Sequence, residues 1–164
     1  MLQEHAQAHP RLLKSNLIFY KVTSLRAGGQ NCALLTESGE FLIHGMNYEG
    51  QLGIGKEIGK ELIFFGDFMK VDFFLGKPVL DVAFGAMHTL VLCHDKDTGK
   101  NRVFGCGSTK EGQLCTVSDI KHYSFIELTD KIPGEVEQLY AGKFFSMFVT
   151  KDKQVFACGL NESG

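Results

Sequence analysis

Apolar residues along this chain come in short runs closed by glycine or by polar clusters, and no window sustains an apolar stripe at helical spacing over ten residues. The runs at 32–35, 89–93 and 146–149 are short, largely apolar and bounded by glycine and polar clusters, a pattern that predicts short strands and not helices. The run Val155-Phe156-Ala157-Cys158 is apolar at every position, which predicts a strand covered on both faces. The expectation is an all-β chain.

The order of these runs repeats. Gly28, Gly85 and Gly142 recur at intervals of 57 residues (85 − 28 and 142 − 85), each preceded three positions earlier by an apolar residue, Leu25, Val82 or Leu139. An apolar run follows each glycine, then a polar turn (37–40, 94–101, 151–154), then a second apolar run ending in Gly45, Gly107 or Gly159. Five residues further stand Gly50, Gly112 and Gly164, and the first copy adds Gly53. Self-similarity at a fixed period of this length signals a solenoid or propeller, and propeller blades are sandwiched between neighbours as the all-apolar run requires. Glycine makes up 19 of 164 residues, above the usual ~7 %. The excess falls on the repeat anchors, where a left-handed turn or a close backbone approach is expected. The organisation so read is a polar lead-in at 1–21 followed by propeller repeats at 22–164, divided near 22–78, 79–135 and an incomplete 136–164.

The phrase Gly45-Met46-Asn47-Tyr48-Glu49-Gly50-Gln51-Leu52-Gly53, preceded by the segment 28–36, resembles the repeat of the regulator of chromosome condensation family. So does Phe84-Gly85-Ala86-Met87-His88-Thr89-Leu90, followed by Gly107 and Gly112-Gln113-Leu114. The resemblance covers roughly residues 20–164 and implies that each repeat is one blade of a seven-bladed β-propeller. It implies no particular activity, since family members include interaction scaffolds as well as the founding guanine-nucleotide exchange factor for the small GTPase Ran.

The copies also differ. Cys115 stands where the first repeat has Gly53, which predicts an altered turn, and Lys153 replaces the turn glycine Gly39. The third copy reaches only Asn161-Glu162-Ser163-Gly164, just before the expected Gln-Leu-Gly. Fewer than three repeats cannot close a ring, because propellers need about four to eight blades. A piece of a longer polypeptide, a shortened gene product and a partial ring completed by another chain all remain open, and the first is preferred.

Composition adds mostly exclusions. The net charge of −2 leaves no electrostatic footprint for nucleic acid, and no basic tail within 1–21 suggests a chromatin role. No stretch has the length of a membrane span and no signal peptide is present, so an intracellular protein, cytoplasmic or nuclear, is expected. Cys32, Cys93, Cys106, Cys115 and Cys158 are odd in number and lack a close pair, which argues against a disulfide framework or a zinc site. Aligned on the repeat, Cys32 shares a slot with Thr89 and Ser146, and Cys106 and Cys158 share one with His44; these read as core positions. A metal cluster of His88, Cys93 and His94 is disfavoured because His88 and Cys93 begin and end one strand. His88 shares its slot with Asn31 and Phe145, and in the family a histidine here serves packing and hydrogen bonding within the blade.

No catalytic constellation emerges, and neither a cofactor nor a metal is expected. The glycine- and lysine-rich segment 53–61 fails the phosphate-loop spacing and lacks the Ser or Thr that would hold magnesium. No nucleophile elbow is present. Tryptophan is absent, so the tryptophan-based light sensing of one branch of the family has no chromophore here.

The connector at 62–75 carries Phe64, Phe65, Phe68, Phe73 and Phe74, five of the chain's fourteen phenylalanines. It reads either as an outer strand packing its rings between blades or as an apolar patch for a protein partner. The second connector, 116–138, is polar and reads as a surface loop. The function expected is a non-enzymatic protein interaction scaffold. The alternative is nucleotide exchange on a small GTPase.

Overall fold

The computed structural model describes residues 16–55 and 64–162; the lead-in before residue 16, most of the 53–61 segment and Gly164 lie outside the described residues, as do the side chains of Phe64 and Phe65. Eleven strands among the described residues form three antiparallel sheets. The first contains β1 (Val22–Gly28), β2 (Asn31–Thr36), β3 (Phe41–Met46) and β4 (Phe64–Lys70). β5 (Val79–Phe84), β6 (His88–Asp95), β7 (Lys100–Ser108) and β8 (Lys121–Glu127) make the second, and β9 (Val136–Ala141), β10 (Phe145–Thr150) and β11 (Val155–Gly159) the third. Each sheet keeps its strands in chain order, as a meander does. The first strands of successive sheets lie against one another, β1 on β5 and β5 on β9, so the sheets radiate as three blades of a β-propeller.

Register repeats with the sequence. Asn31 faces Gly45, His88 faces Gly107 and Phe145 faces Gly159; one step along, Cys32 faces His44, Thr89 faces Cys106 and Ser146 faces Cys158. The slots aligned by sequence are therefore equivalent in space.

Apolar residues on both faces of each sheet build one core per interface. Ala33, Phe41 and Ile43 of the first blade meet Val82, Val91 and Phe104 of the second. Leu90, Leu92 and Val103 on the other face of the second blade meet Leu139 and Phe148 of the third. Every residue of β6 from His88 to Cys93 is consequently buried. The expectation of two-sided cover fails at β11: Val155 is 59 % exposed, because among the described residues no blade packs on that side. On the free side of the first blade, Leu34, Leu42 and Phe68 are covered by Leu17 and Tyr20.

The connectors depart from expectation in instructive ways. Residues 116–138 are not simply a loop, since they contain β8, the fourth strand of the second blade. β8 is the outermost strand and buries Phe125 while leaving Ser124 and Glu127 exposed, so its apolar signal is thin. In the first connector, Phe74 sits at the centre of an aromatic cluster, with ring centroids 5.5 Å from Phe41, 5.6 Å from Phe104 and 4.8 Å from Phe125. Phe68 packs on Leu34 and Leu42. An exposed partner patch is thus corrected at Phe68 and Phe74, whose rings fill the core. Phe73 keeps 39 % of its surface while packing edge-on to Phe74 and Phe104.

Two turns also differ from expectation. Cys115 has φ +56°, close to the +66° of Gly53, and its N–H bonds to Gly112 O at 3.0 Å just as Gly53 N–H bonds to Gly50 O at 3.0 Å. The turn is preserved at the cost of a non-glycine residue in the left-handed region, which costs about 1 kcal/mol. Lys153 at φ +67° likewise keeps the turn made by Gly39 at φ +83°.

Gly45, Gly107 and Gly159 show what the repeat demands. Their φ values are +125°, +106° and +124°, and a Cβ at each would collide with the backbone oxygen of Gln30, Met87 and Phe144 respectively. Gly107→Ala is therefore expected to destabilise the chain by about 3 kcal/mol or more in urea unfolding, since both strain and a backbone clash act. Gly39→Ala, where the added Cβ meets open space, should cost only about 1 kcal/mol. Lys153→Gly should stabilise by about 0.5–1 kcal/mol, the exposed ion pair to Glu137 contributing little. Equal losses at Gly107 and Gly39 would contradict the clash.

Candidate interaction face

After their third strands the first and second blades each make a loop whose end plugs into the next blade. In the first loop Asn47 Oδ1 accepts the Leu52 N–H at 3.0 Å, and the Gln51 side chain turns back so that its Oε1 accepts the Glu49 N–H at 2.8 Å. The second loop repeats the latter bond, Glu111 N–H to Gln113 Oε1 at 2.9 Å. Gly50 and Gly112, at φ +88° and +86°, permit the reversal. With the side chain so occupied, the glutamine backbone carbonyl points outward. Gln51 O accepts from Thr89 Oγ1 at 2.6 Å and from Cys106 Sγ at 3.4 Å, both in the second blade. Gln113 O accepts from Ser146 Oγ at 2.6 Å in the third, with Cys158 Sγ at 3.7 Å. Leu52 and Leu114 complete the plug, each fully buried in the core between two blades.

His88 extends this chain of bonds. Ser146 Oγ donates to Gln113 O, so it accepts from His88 Nε2 at 2.9 Å, which puts the ring proton on Nε2. The histidine thus hydrogen-bonds from the second blade to the third, while its ring lies against Gly85 of its own blade. Burial lowers its pKa to about 4, so the ring is neutral at ordinary pH. Its Nδ1 is buried and, among the described residues, unpartnered, as are Asn31 Oδ1 and Gln113 Nε2.

The remaining repeat glycines hold the blades together near the axis. Gly28 lies so close to Phe84 that a Cβ would stand 2.8 Å from its carbonyl oxygen, and Gly85 lies as close to Gly142. Ala86 N–H bonds to Lys143 O at 3.0 Å across the second interface. A cleft of about 610 Å³ runs along these inner strands, flanked by the Arg26–Asp81 ion pair at 2.6 Å. A Cβ on Gly53 would meet the Phe125 ring, so this glycine marks the contact of the first loop with β8.

The loops crowd onto one end of the blades, where they frame a concavity of about 440 Å³ lined by Tyr48, Glu49, Met87, Lys110, Lys121 and Phe144, among others. Tyr48 is 58 % exposed, and the Lys121 ammonium lies 4.8 Å from its ring centroid and 3.0 Å from Glu49. The hydrogen bond that the Lys121 ammonium donates to Glu49 raises the Lys121 pKa and keeps it charged. Met87 and Phe145 add exposed apolar surface at the same end. Aromatic and methionine side chains beside charges of both signs suit a protein surface better than a small substrate. Among the described residues no three His, Cys, Asp or Glu side chains are grouped to hold a metal, and no helix is long and apolar enough to cross a membrane. Tyr48, Met87, Phe144 and Lys121 were not singled out from sequence. Their positions beside the repeat glycines were the available signal, because those glycines fix which loops share an end.

Comparison with known proteins agrees with this geometry. The profile described as "Regulator of chromosome condensation (RCC1) repeat" matches residues 38–92 and 136–164. The chain is 28 % identical over 141 residues to the serine/threonine-protein kinase Nek9 of Xenopus laevis, covering 86 % of this chain and 14 % of that protein. It is 27 % identical over 145 residues to the secretion-regulating guanine nucleotide exchange factor of Bos taurus, covering 87 % and 29 %. The crystal structure of Kap60 bound to yeast RCC1 (Prp20) matches with a TM-score of 0.71 at 16 % identity, over 84 % of this chain and 32 % of that one. The chain therefore spans under a third of the length of each of these proteins.

The buried neutral His88 sets a pH dependence. Unfolded, the imidazole takes up a proton near 6.5; folded, it does so only near 4. Its contribution is thus intact above pH 6.5 and lost as pH falls toward 4, by up to about 3 kcal/mol. Replacing it with the residue of the first blade, His88→Asn, should flatten the stability profile, measured as unfolding free energy from pH 7 to pH 4. A wild-type-minus-variant difference that does not change over that range would contradict the assignment.

Proposed function

Because the chain belongs to the regulator of chromosome condensation repeat family, we propose that it is a non-catalytic interaction scaffold that docks a protein partner on the end of the blades carrying Tyr48, Met87 and Phe144. One observation carries this: the glutamine plugs pin the loops of the first two repeats beside the Phe144 turn of the third, and apolar rings and charges of both signs are exposed on the concave rim so formed. Preorganised surfaces of this kind bind without spending affinity on ordering loops. The five free thiols fit a reducing, cytoplasmic or nuclear setting.

A second reading is favoured by the similarity to the secretion-regulating guanine nucleotide exchange factor. An exchange factor makes and breaks no covalent bond. It binds the nucleotide-free GTPase more tightly than the loaded form and so shifts the population toward release.

Placing a photo-cross-linking amino acid at Tyr48 or Lys110 should capture a partner protein in cells, whereas the same group at Ser38 or Asp152, on the opposite turns, should not. Capture only from the opposite turns would refute the assigned end. Release of a fluorescent guanine nucleotide from a panel of small GTPases separates the two readings, with no acceleration expected for the scaffold and an acceleration of tenfold or more for an exchange factor.

A further inference from the structure

Cys115 and Cys158 face one another across the boundary between the second and third blades. Their sulfurs stand 3.1 Å apart and both thiols are free. Cys115 comes from the loop that plugs into the third blade, and Cys158 from β11, the edge strand of that blade. Both are half-buried and line one open cleft of about 390 Å³, with Lys131, Phe148 and Phe156 in its walls. The equivalent position in the first loop is Gly53, and Cys115 holds the same left-handed turn at φ +56°, a conformation that disfavours any side chain. Both cysteines pack on the core between the second and third blades, and the side chain held in this strained turn has a second sulfur directly opposite.

The other cysteines differ in kind. Cys93 and Cys106 are sealed in the core between the first and second blades, where burial pushes their thiols up. Cys32 lies 3.8 Å from His44 Nδ1 with no second sulfur beside it.

We propose that Cys115 and Cys158 form a modification site, a dithiol oxidised by hydroperoxides to a disulfide that braces the second blade to the third. The Cys158 sulfur attacks one oxygen of the hydroperoxide, forming Cys158–SOH and releasing the alkoxide or hydroxide, which takes up the thiol proton. The Cys115 sulfur then attacks that sulfenic sulfur, the S–S bond forms, and the hydroxyl leaves as water with the Cys115 proton. Two thiols lose two electrons and two protons, and one hydroperoxide is reduced to alcohol, or water, plus water. The order of attack follows from the hydrogen bond between the sulfurs, which lowers the Cys158 pKa and raises that of Cys115. The closed link would span 43 residues of chain and tie the plug to the strand it enters.

The test uses the full chain treated with one to two equivalents of hydrogen peroxide, followed by non-reducing digestion and mass spectrometry. A loss of two mass units, a peptide linking residues 115 and 158, reversal by dithiothreitol and a rise in the thermal midpoint of roughly 5 °C are expected. Cys115→Gly restores the residue of the first repeat at that turn and so keeps the fold. In that variant the linked peptide should vanish and Cys158 should proceed to the sulfinic acid. Both thiols still open to alkylation after oxidation, or a link joining Cys158 to a second molecule, would overturn the proposal. A correct link with an unchanged midpoint would overturn its bracing role.

Discussion

The carbonyl of Gln51 accepts the Thr89 hydroxyl at 2.6 Å, and the carbonyl of Gln113 accepts the Ser146 hydroxyl at the same distance, so the second and third blades each hold the loop that follows the third strand of the blade before. A sheet alone buries one face and leaves the other wet; a blade must bury both, and so cannot be stable without neighbours. The glutamine plug supplies the continuity. It places Leu52 and Leu114 in the cores between blades and saturates a backbone acceptor that would otherwise be buried unpaired. The positive-φ glycines around it follow from the same requirement, since the chain must leave its third strand, reverse and enter the next interface within a few residues.

That geometry also sets which surface the chain presents at the loop end of its blades. The plugs fix the loops at one end of the blades, and the exposed Tyr48 and Met87 inherit the rigidity of the joint beneath them. His88 belongs to the joint, as its bond to Ser146 shows, and its chemistry is that of a buried neutral hydrogen-bond donor. Family membership and likeness to yeast RCC1 place the fold among propellers.

Much of the fold was legible because a repeat states its instructions more than once. The glycines at 57-residue spacing marked the blade period, and aligned slots such as Cys32, Thr89 and Ser146 proved equivalent in register. What could not be read depended on contacts between distant segments. β8 was hidden because an outer strand buries little beyond Phe125. Cys115 and Lys153 suggested altered turns, yet the surrounding hydrogen bonds impose left-handed backbone on both. Phe68 and Phe74 could have faced either water or core; the neighbouring blade decides for Phe74, and the segment carrying Leu17 and Tyr20 decides for Phe68. The plug itself was invisible because its acceptor is a backbone oxygen, which no side-chain pattern records.

Native-state hydrogen exchange of the full chain carrying Leu114→Ala tests the interlocking most directly. Leu114 is on the loop after β7, yet it packs with Leu139 and Phe148 of the third blade. If blades are joined through their plugs, amides of β9 and β10 should lose protection together with those of β6 and β7, by similar factors. Loss confined to the second blade, with the third keeping its wild-type protection, would contradict the account.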